Sequence, residues 1–279
     1  MRKLYNYMGS KRRHLSTINK IINNVESVNY YEPFLGSGIV FLNLEKKFNN
    51  YYLNDLFPDL LLFFNHYPFL DKKYIDKTIE YELNNFNIEK NKEGYYKLRE
   101  IMNNEKDLKR KTVLFWMIAN TCINNMVRFN NSTLKFNQGF GERKYVSKIN
   151  DFLLSIDYCN KKNINTSVQD FKIFFNNIKN SSENFVFIDP PYYLTKFSSK
   201  WNKEDTEWLI NWLIKNDNVN FLYTDIESDL TNYLLEKRKD LKYSCYEKIK
   251  NVSPNRKKET THKEIFIYSI PISPNNTLF

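Results

Sequence analysis

Five short runs rich in apolar and aromatic residues, VNYY, NYYLN, NINTSV, NFVFI and NVNFLYT, each lead straight into an acid: Glu32, Asp55, Asp170, Asp189 and Asp225. Their length and composition predict five β-strands. In an open parallel α/β sheet, ligands sit outside the carboxyl ends of the strands, so five acids there predict one crevice. Asp and Asn also cap helices that follow strands, a reading that stands for any one of the five and weakens for all of them together. Two later runs, 242–249 and 264–270, flank the polar stretch NVSPNRKKETTH and predict a terminal antiparallel pair with a long basic loop. Between the second and third runs lie about a hundred residues of helical periodicity, including LLLFFNHY, EGYYKLREIM and TVLFWMIANTCINNM. A crossover needs only one helix, which predicts a mostly helical inserted domain at 61–159 within a domain made of 1–60 and 160–279.

Only six glycines occur in 279 residues, and five fall in three places: Gly9, the pair Gly36 and Gly38, and the pair Gly139 and Gly141. The sharpest context is EPFLGSGIVF at 32–41, directly after the first strand and opening a helix, where a nucleotide loop belongs. A dinucleotide fingerprint needs a third glycine, and here Ile39, Val40 and Phe41 follow Gly38. The GSK at Gly9 to Lys11 lacks the upstream glycine of a phosphate-cradling loop. A nucleoside without a pyrophosphate fits better, with Asp55 placed to accept hydrogen bonds from ribose hydroxyls.

After the strand NFVFI comes DPPY, Asp189 to Tyr192. Two prolines stiffen the backbone as it leaves the sheet, so the Asp189 carboxylate, the Pro190 carbonyl and the Tyr192 ring form one rigid group. Two acceptors side by side match the two donor hydrogens of an exocyclic amine, and the ring offers a face to the base that carries it.

Composition narrows the partner. With 42 Lys and Arg against 32 Asp and Glu the formal charge is +10, which favours an anionic ligand. Basic clusters at Lys11–Arg12–Arg13, at Arg143 and Lys144, and at Arg256, Lys257 and Lys258 fall in predicted loops suited to phosphates. No run reaches the apolar length of a membrane span, and MRKLYNYMGSKRRH has no apolar core of a leader, so a cytoplasmic protein without membrane contact is expected. Three scattered cysteines and three scattered histidines predict neither a disulfide framework nor a metal site.

Taken in order, these motifs resemble the Dam-like, alpha-group adenine-N6 DNA methyltransferases. That family runs from an FxGxG loop through an inserted target-recognition domain to DPPY. Here the counterparts are Phe34-Leu35-Gly36-Ser37-Gly38, the helical insertion, and Asp189-Pro190-Pro191-Tyr192. The N-terminal NYMGSKRR is similar to the family's opening cofactor motif. The resemblance implies a Rossmann-like methyltransferase sheet that binds S-adenosylmethionine through Tyr7, Gly9, Lys11, Phe34, Gly36, Gly38, Asp55, Asp170, Phe171 and Asp189. It implies catalysis by Asp189, Pro190 and Tyr192 on the exocyclic amine of an adenine flipped out of double-stranded DNA.

Within the insertion, NNMVRFNNSTLKFNQGFGERKY at 124–145 resembles the family's DNA-entering β-hairpin, with Arg128, Phe136, Asn137 and Gly141 fitting the pattern. Arg128 and Asn137, with Arg143, Lys144, Arg256, Lys257 and Lys258, are the expected DNA contacts. GATC-type members carry a proline where this chain has Gly139, so GATC recognition is not implied. A monomer is expected, with a restriction endonuclease as a possible companion. Two alternatives stay open: an RNA base methyltransferase, and a nucleic-acid-binding relative without catalysis.

Overall fold

The five acid-terminated runs become five parallel strands, β1 (Asn29–Glu32), β2 (Asn50–Asn54), β3 (Ile164–Ser167), β4 (Asn184–Ile188) and β5 (Asn220–Ile226). The last two runs are antiparallel, β6 (Lys242–Lys248) and β7 (His262–Tyr268), and β7 inserts between β5 and β6. The computed structural model describes residues 1–65, 70–142, 149–194, 201–248 and 262–270. Arg143, Lys144, Arg256, Lys257 and Lys258 lie outside the described residues.

Strand order is β3-β2-β1-β4-β5-β7-β6, a mostly parallel Rossmann-like sheet. Chain order reverses at β1, which pairs with β2 on one side and β4 on the other. The turns leaving β1 and β4 are therefore neighbours at the topological switch point, where this architecture opens a crevice. EPFLGSG and DPPY occupy those two turns.

Burial explains the strand composition. β4, NFVFI, is buried at every position, as a central strand covered on both faces must be. With a period of two, Phe185 and Phe187 enter one hydrophobic layer while Val186 and Ile188 enter the other. The first layer holds α1 (Leu15–Ile22), the short α2 (Ile39–Leu42) and residues of the insertion.

The insertion contributes α3 (Lys72–Phe86), α4 (Lys92–Asn104), α5 (Leu108–Thr121) and α6 (Ile149–Asn160). Asp71, Asn91 and Asp107 start the first three by accepting hydrogen bonds from backbone amides of the first turn. Thr112 to Thr121 of α5 are buried without interruption, the sign of a helix enclosed on all sides. Trp116 of α5 stacks on Phe152 of α6 at 4.8 Å, and Phe115 meets Tyr5 and Phe63 at 5.6 and 5.5 Å. The insertion thus shares one continuous core with the sheet. Although nearly all of α6 lies in 61–159, its Tyr158 hydroxyl donates to the Phe41 carbonyl of α2, and it leads directly into β3 as a crossover helix does.

The opposite layer is formed by α7 (Phe171–Asn176), α8 (Lys203–Lys215) and α9 (Asp229–Lys237). Among the described residues no helix is long and apolar enough to cross a membrane.

Candidate active site

Leaving β1, the chain turns at once into α2, and Gly36 and Gly38 adopt left-handed φ values of 54° and 63°. The loop is tightly enclosed: a Cβ on Gly38 would lie 2.3 Å from Phe64 Cζ, and one on Gly36 3.0 Å from the Tyr7 ring. Asp55, just beyond β2, braces the loop. Its Oδ2 accepts from the Gly36 amide at 2.8 Å and its Oδ1 from the Phe57 amide at 3.1 Å. Each oxygen keeps capacity for a further donor. Burial pushes the Asp55 carboxyl up to about 6, against the pull of these backbone donors.

Phe34 lies beside this loop, 5.6 Å from Phe171 and 5.3 Å from Trp201 between ring centroids. Phe171 is nearly buried, whereas Asp170 is exposed and caps α7 by accepting from the Lys172 amide at 2.9 Å. Gly9 is exposed, with φ 79° and open space where a side chain would stand.

Across the switch point, Asp189 is held from several sides. Its Oδ1 accepts from Lys11 Nζ at 2.6 Å and from the Thr224 hydroxyl at 2.8 Å, and the Tyr192 hydroxyl oxygen lies 3.4 Å away. Its Oδ2 accepts no hydrogen bond from the described residues. Lys11 is almost wholly buried, and its Nζ reaches Glu264 Oε1 at 3.3 Å and donates to the Gly9 carbonyl at 3.1 Å. Tyr192 donates to Glu264 Oε1 at 2.7 Å, and His14 Nε2 stands 3.4 Å from Glu264 Oε2. Burial alone would lower the Lys11 pKa, but the carboxylates of Asp189 and Glu264 outweigh it and raise it. Burial, with the neighbouring carboxylates, raises the Tyr192 hydroxyl well above its ordinary value.

The structure brings Tyr7, Gly36, Gly38 and Asp55 into one loop cluster, with Phe34, Phe171 and Trp201 forming an aromatic group at its edge. It also brings Lys11, Asp189 and Tyr192 into one polar cluster. Glu264, Thr224 and His14 belong to the second cluster and were not singled out by sequence reasoning. The available signal was an acid at the head of the apolar run EIFIY in β7.

Glu32, the last residue of β1, and Asp225, the last but one of β5, are buried inside the protein. Each accepts from a tyrosine two residues earlier on the same strand face, Glu32 from Tyr30 at 2.7 Å and Asp225 from Tyr223. Burial pushes Glu32 up to about 8 and Asp225 up to about 7. A raised carboxyl means the folded state holds its proton more tightly than the unfolded chain. Its stabilisation is complete below the unfolded pKa and is lost as pH rises through the folded value. The melting temperature should fall as pH is raised from about 5 to about 9. Glu32→Gln should remove part of that slope, leaving the share of Asp225 and Asp55. Calorimetric scans across this range, showing an unchanged slope in the variant, would refute the assignment.

The segment resembling a DNA-entering hairpin is a hairpin. Phe129 bridges Phe136, the Asn137 amide donates to the Arg128 carbonyl at 3.1 Å, and the Asn130 side chain accepts from the Ser132 and Thr133 amides in the turn. Arg128 and Asn137 are exposed neighbours on the two arms, whereas Phe136 is buried against Phe115. Tyr95, Arg99 and Asn103, one turn apart on α4, donate to the carbonyls of Gln138, of Asn137 and Gln138, and of Phe136. The hairpin stem bridges Asn6, and Phe57 stacks on Phe129 at 4.7 Å, so it is tied to the segments that carry Tyr7 and Asp55.

With this geometry in view, residues 7–211 match the sequence profile of the D12 class N6 adenine-specific DNA methyltransferases. The chain belongs to this family. Membership implies a methyl donor, and the Rossmann-like sheet is that of a methyltransferase. The chain is 31% identical over 182 residues to the type II methyltransferase M.MjaIII of Methanocaldococcus jannaschii, a match covering 61% of each protein. It is 34% identical over 113 residues to the DNA adenine methylases of Salmonella typhi and of Escherichia coli K12, covering 40% of this chain and 38% of each. The match thus spans about three fifths of the first relative and under two fifths of the other two.

Proposed function

We propose that the chain transfers a methyl group from S-adenosylmethionine to the exocyclic amine of an adenine flipped out of double-stranded DNA, at a specific sequence. The observation that carries this reading is the pairing of β1 with β4, which sets the glycine loop beside a carboxylate whose Oδ1 is already saturated.

The residues present suit the methyl donor. Gly36 and Gly38 leave no room for side chains at the loop, Asp55 can accept from a ribose diol, and Phe34 and Phe171 offer apolar surface to a nucleobase. S-adenosylmethionine, when bound, supplies an electrophilic methyl on a positively charged sulfur. An aromatic amine is a poor nucleophile because its lone pair is conjugated into the ring. Asp189 Oδ2 and the Pro190 carbonyl accept its two hydrogens and favour a pyramidal nitrogen with the lone pair directed at the methyl, a matter of positioning and electrostatics. Because Lys11 and Thr224 fix Oδ1, the carboxylate does not need to reorient as the reaction proceeds.

Flipping the base out of the duplex costs a few kcal/mol, and stacking on Tyr192, worth roughly 1–3 kcal/mol, offsets part of it. The insertion, 61–159, acts as the target-recognition domain. Arg128 reads a base edge from the hairpin, Asn137 lies beside it, and Arg143, Lys144, Arg256, Lys257 and Lys258 contact phosphates. The protein works in the cytoplasm as a monomer, with or without a companion endonuclease.

Labelled S-adenosylmethionine offered with duplex DNA and, separately, with structured RNA tests the reading. Methyl incorporation is expected into duplex DNA, and modified-base sequencing should place it on adenine in one sequence context. Incorporation into RNA alone would make the chain an RNA methyltransferase. Cofactor binding without transfer to either would make it an inactive relative.

A further inference from the structure

We infer that Glu264 is a positioning residue for methyl transfer, acting through Lys11 and Tyr192 to hold Asp189, a role that rests on the function proposed above. An antiparallel strand delivers its first residues to the edge where parallel strands deliver their last. β7 therefore places Glu264, opposite Ile226 of β5, at the crevice where Asp189 leaves β4. The carboxylate is 3% exposed, an uncommon location for an acid unless it is paired.

Its partners lead to the reacting group. Lys11 Nζ has three N–H donors and three acceptors in reach, Asp189 Oδ1 at 2.6 Å, Gly9 O at 3.1 Å and Glu264 Oε1 at 3.3 Å. The ammonium donates to Asp189 and Gly9 and stands at ion-pair distance from Glu264, which together hold it beside Asp189. Glu264 Oε1 also takes the Tyr192 hydroxyl at 2.7 Å, which fixes the tilt of the ring expected to face the base. Without Glu264, one buried ammonium would be shared by Asp189 and a carbonyl alone, and Tyr192 would lose its strongest acceptor. Asp189 could then rotate and expose Oδ1 in place of Oδ2.

Among the described residues, the charged and titratable groups around Lys11 are Asp189 after β4, Asp225 on β5, Glu264 on β7, Tyr192 in the DPPY turn and, through Glu264, His14 on the same N-terminal turn. Glu264 supplies one of the two carboxylates that keep the Lys11 proton in place.

The test is Glu264→Gln, which keeps the shape and an acceptor for Tyr192 while removing the charge. Cofactor and DNA dissociation constants should stay near wild type, whereas kcat should fall by up to about 100-fold. Its pH profile should lose rate on the alkaline side at a lower pH than wild type does, because Lys11 gives up its proton more easily beside one carboxylate than beside two. Glu264→Asp, which keeps the charge on a shorter arm, should restore the alkaline side of the profile even where kcat remains low. A Gln variant with unchanged kcat and profile, or one whose loss is uniform across pH and tracks a lowered melting temperature, would overturn the inference while an active wild type leaves the proposed function standing. A wild type that transfers no methyl to DNA would overturn the function, and the inference with it.

Discussion

Asp189→Ala is expected to lower kcat by at least about 10²–10³-fold, the scale seen when a preorganised electrostatic contact to the reacting atoms is removed. Cofactor affinity should fall much less than kcat, because the glycine loop is braced by Asp55 through the Gly36 amide and keeps its shape without Asp189. The variant also strips Lys11 and Thr224 of their shared acceptor, leaving the buried ammonium to Glu264 and a backbone carbonyl. A lower melting temperature should therefore accompany the lost activity. Asp189→Asn separates the two effects. Its amide oxygen still accepts from Lys11 and Thr224, so the fold should recover most of its stability while transfer remains impaired for want of charge. Single-turnover methylation with cofactor titration measures both. Activity of Asp189→Ala within tenfold of wild type would remove this carboxylate from the chemistry.

A large structural effect of a small change should come from Gly38→Ala. The position has φ 63°, which costs an L-residue about 1–2 kcal/mol. The added methyl would also sit 2.3 Å from Phe64 Cζ, and Phe64, 1% exposed, has no free space to enter. Overpacking of this kind adds about 1–3 kcal/mol, so a loss of roughly 2–5 kcal/mol and a Tm lower by roughly 5–15 °C are expected. Cofactor affinity should fall with it, since the loop must shift or Phe64 must leave the core. Gly139→Ala is the comparison: its φ is not left-handed, and its nearest neighbour is the exposed Ile123 side chain at 3.1 Å. That variant should stay within about 0.5 kcal/mol of wild type. Adding Phe64→Leu to Gly38→Ala should recover the part due to the clash but not the part due to the backbone, so partial rescue is the diagnostic result. Complete rescue would show that the left-handed turn is not needed.

Much of this molecule is written in short-range pattern. The hairpin at 128–137 was legible only through the family resemblance, whereas all five strands, the terminal antiparallel pair and the helical insertion follow from periodicity and turn residues, which act over a few positions and leave a local trace. The glycine loop and DPPY were legible for the same reason. A left-handed turn and a rigid strand exit each require particular residues in sequence, whatever the rest of the chain does. The burial of Glu32 and Asp225 also had a local signature that went unread. A tyrosine two residues before an acid on a strand shares its face and can donate to it, as Tyr30 and Tyr223 do.

What the tertiary structure alone decided is which distant groups meet. Lys11 and Asp189 are 178 residues apart, and Glu264 lies 72 residues beyond Tyr192. Their meeting depends on the reversal of strand order at β1 and on β7 running antiparallel beside β5. No window of sequence contains either fact, so an acid at the head of a C-terminal strand could not be told from a solvated one. The shared core of insertion and sheet is of the same kind. Apolar spacing fixes that α5 is a helix with buried faces, whereas only packing reveals that Phe115 and Trp116 meet Tyr5, Phe63 and Phe152 in one continuous layer. Hydrophobic attraction has no direction, so a sequence specifies how much surface must be buried, and the chain's topology selects what buries it.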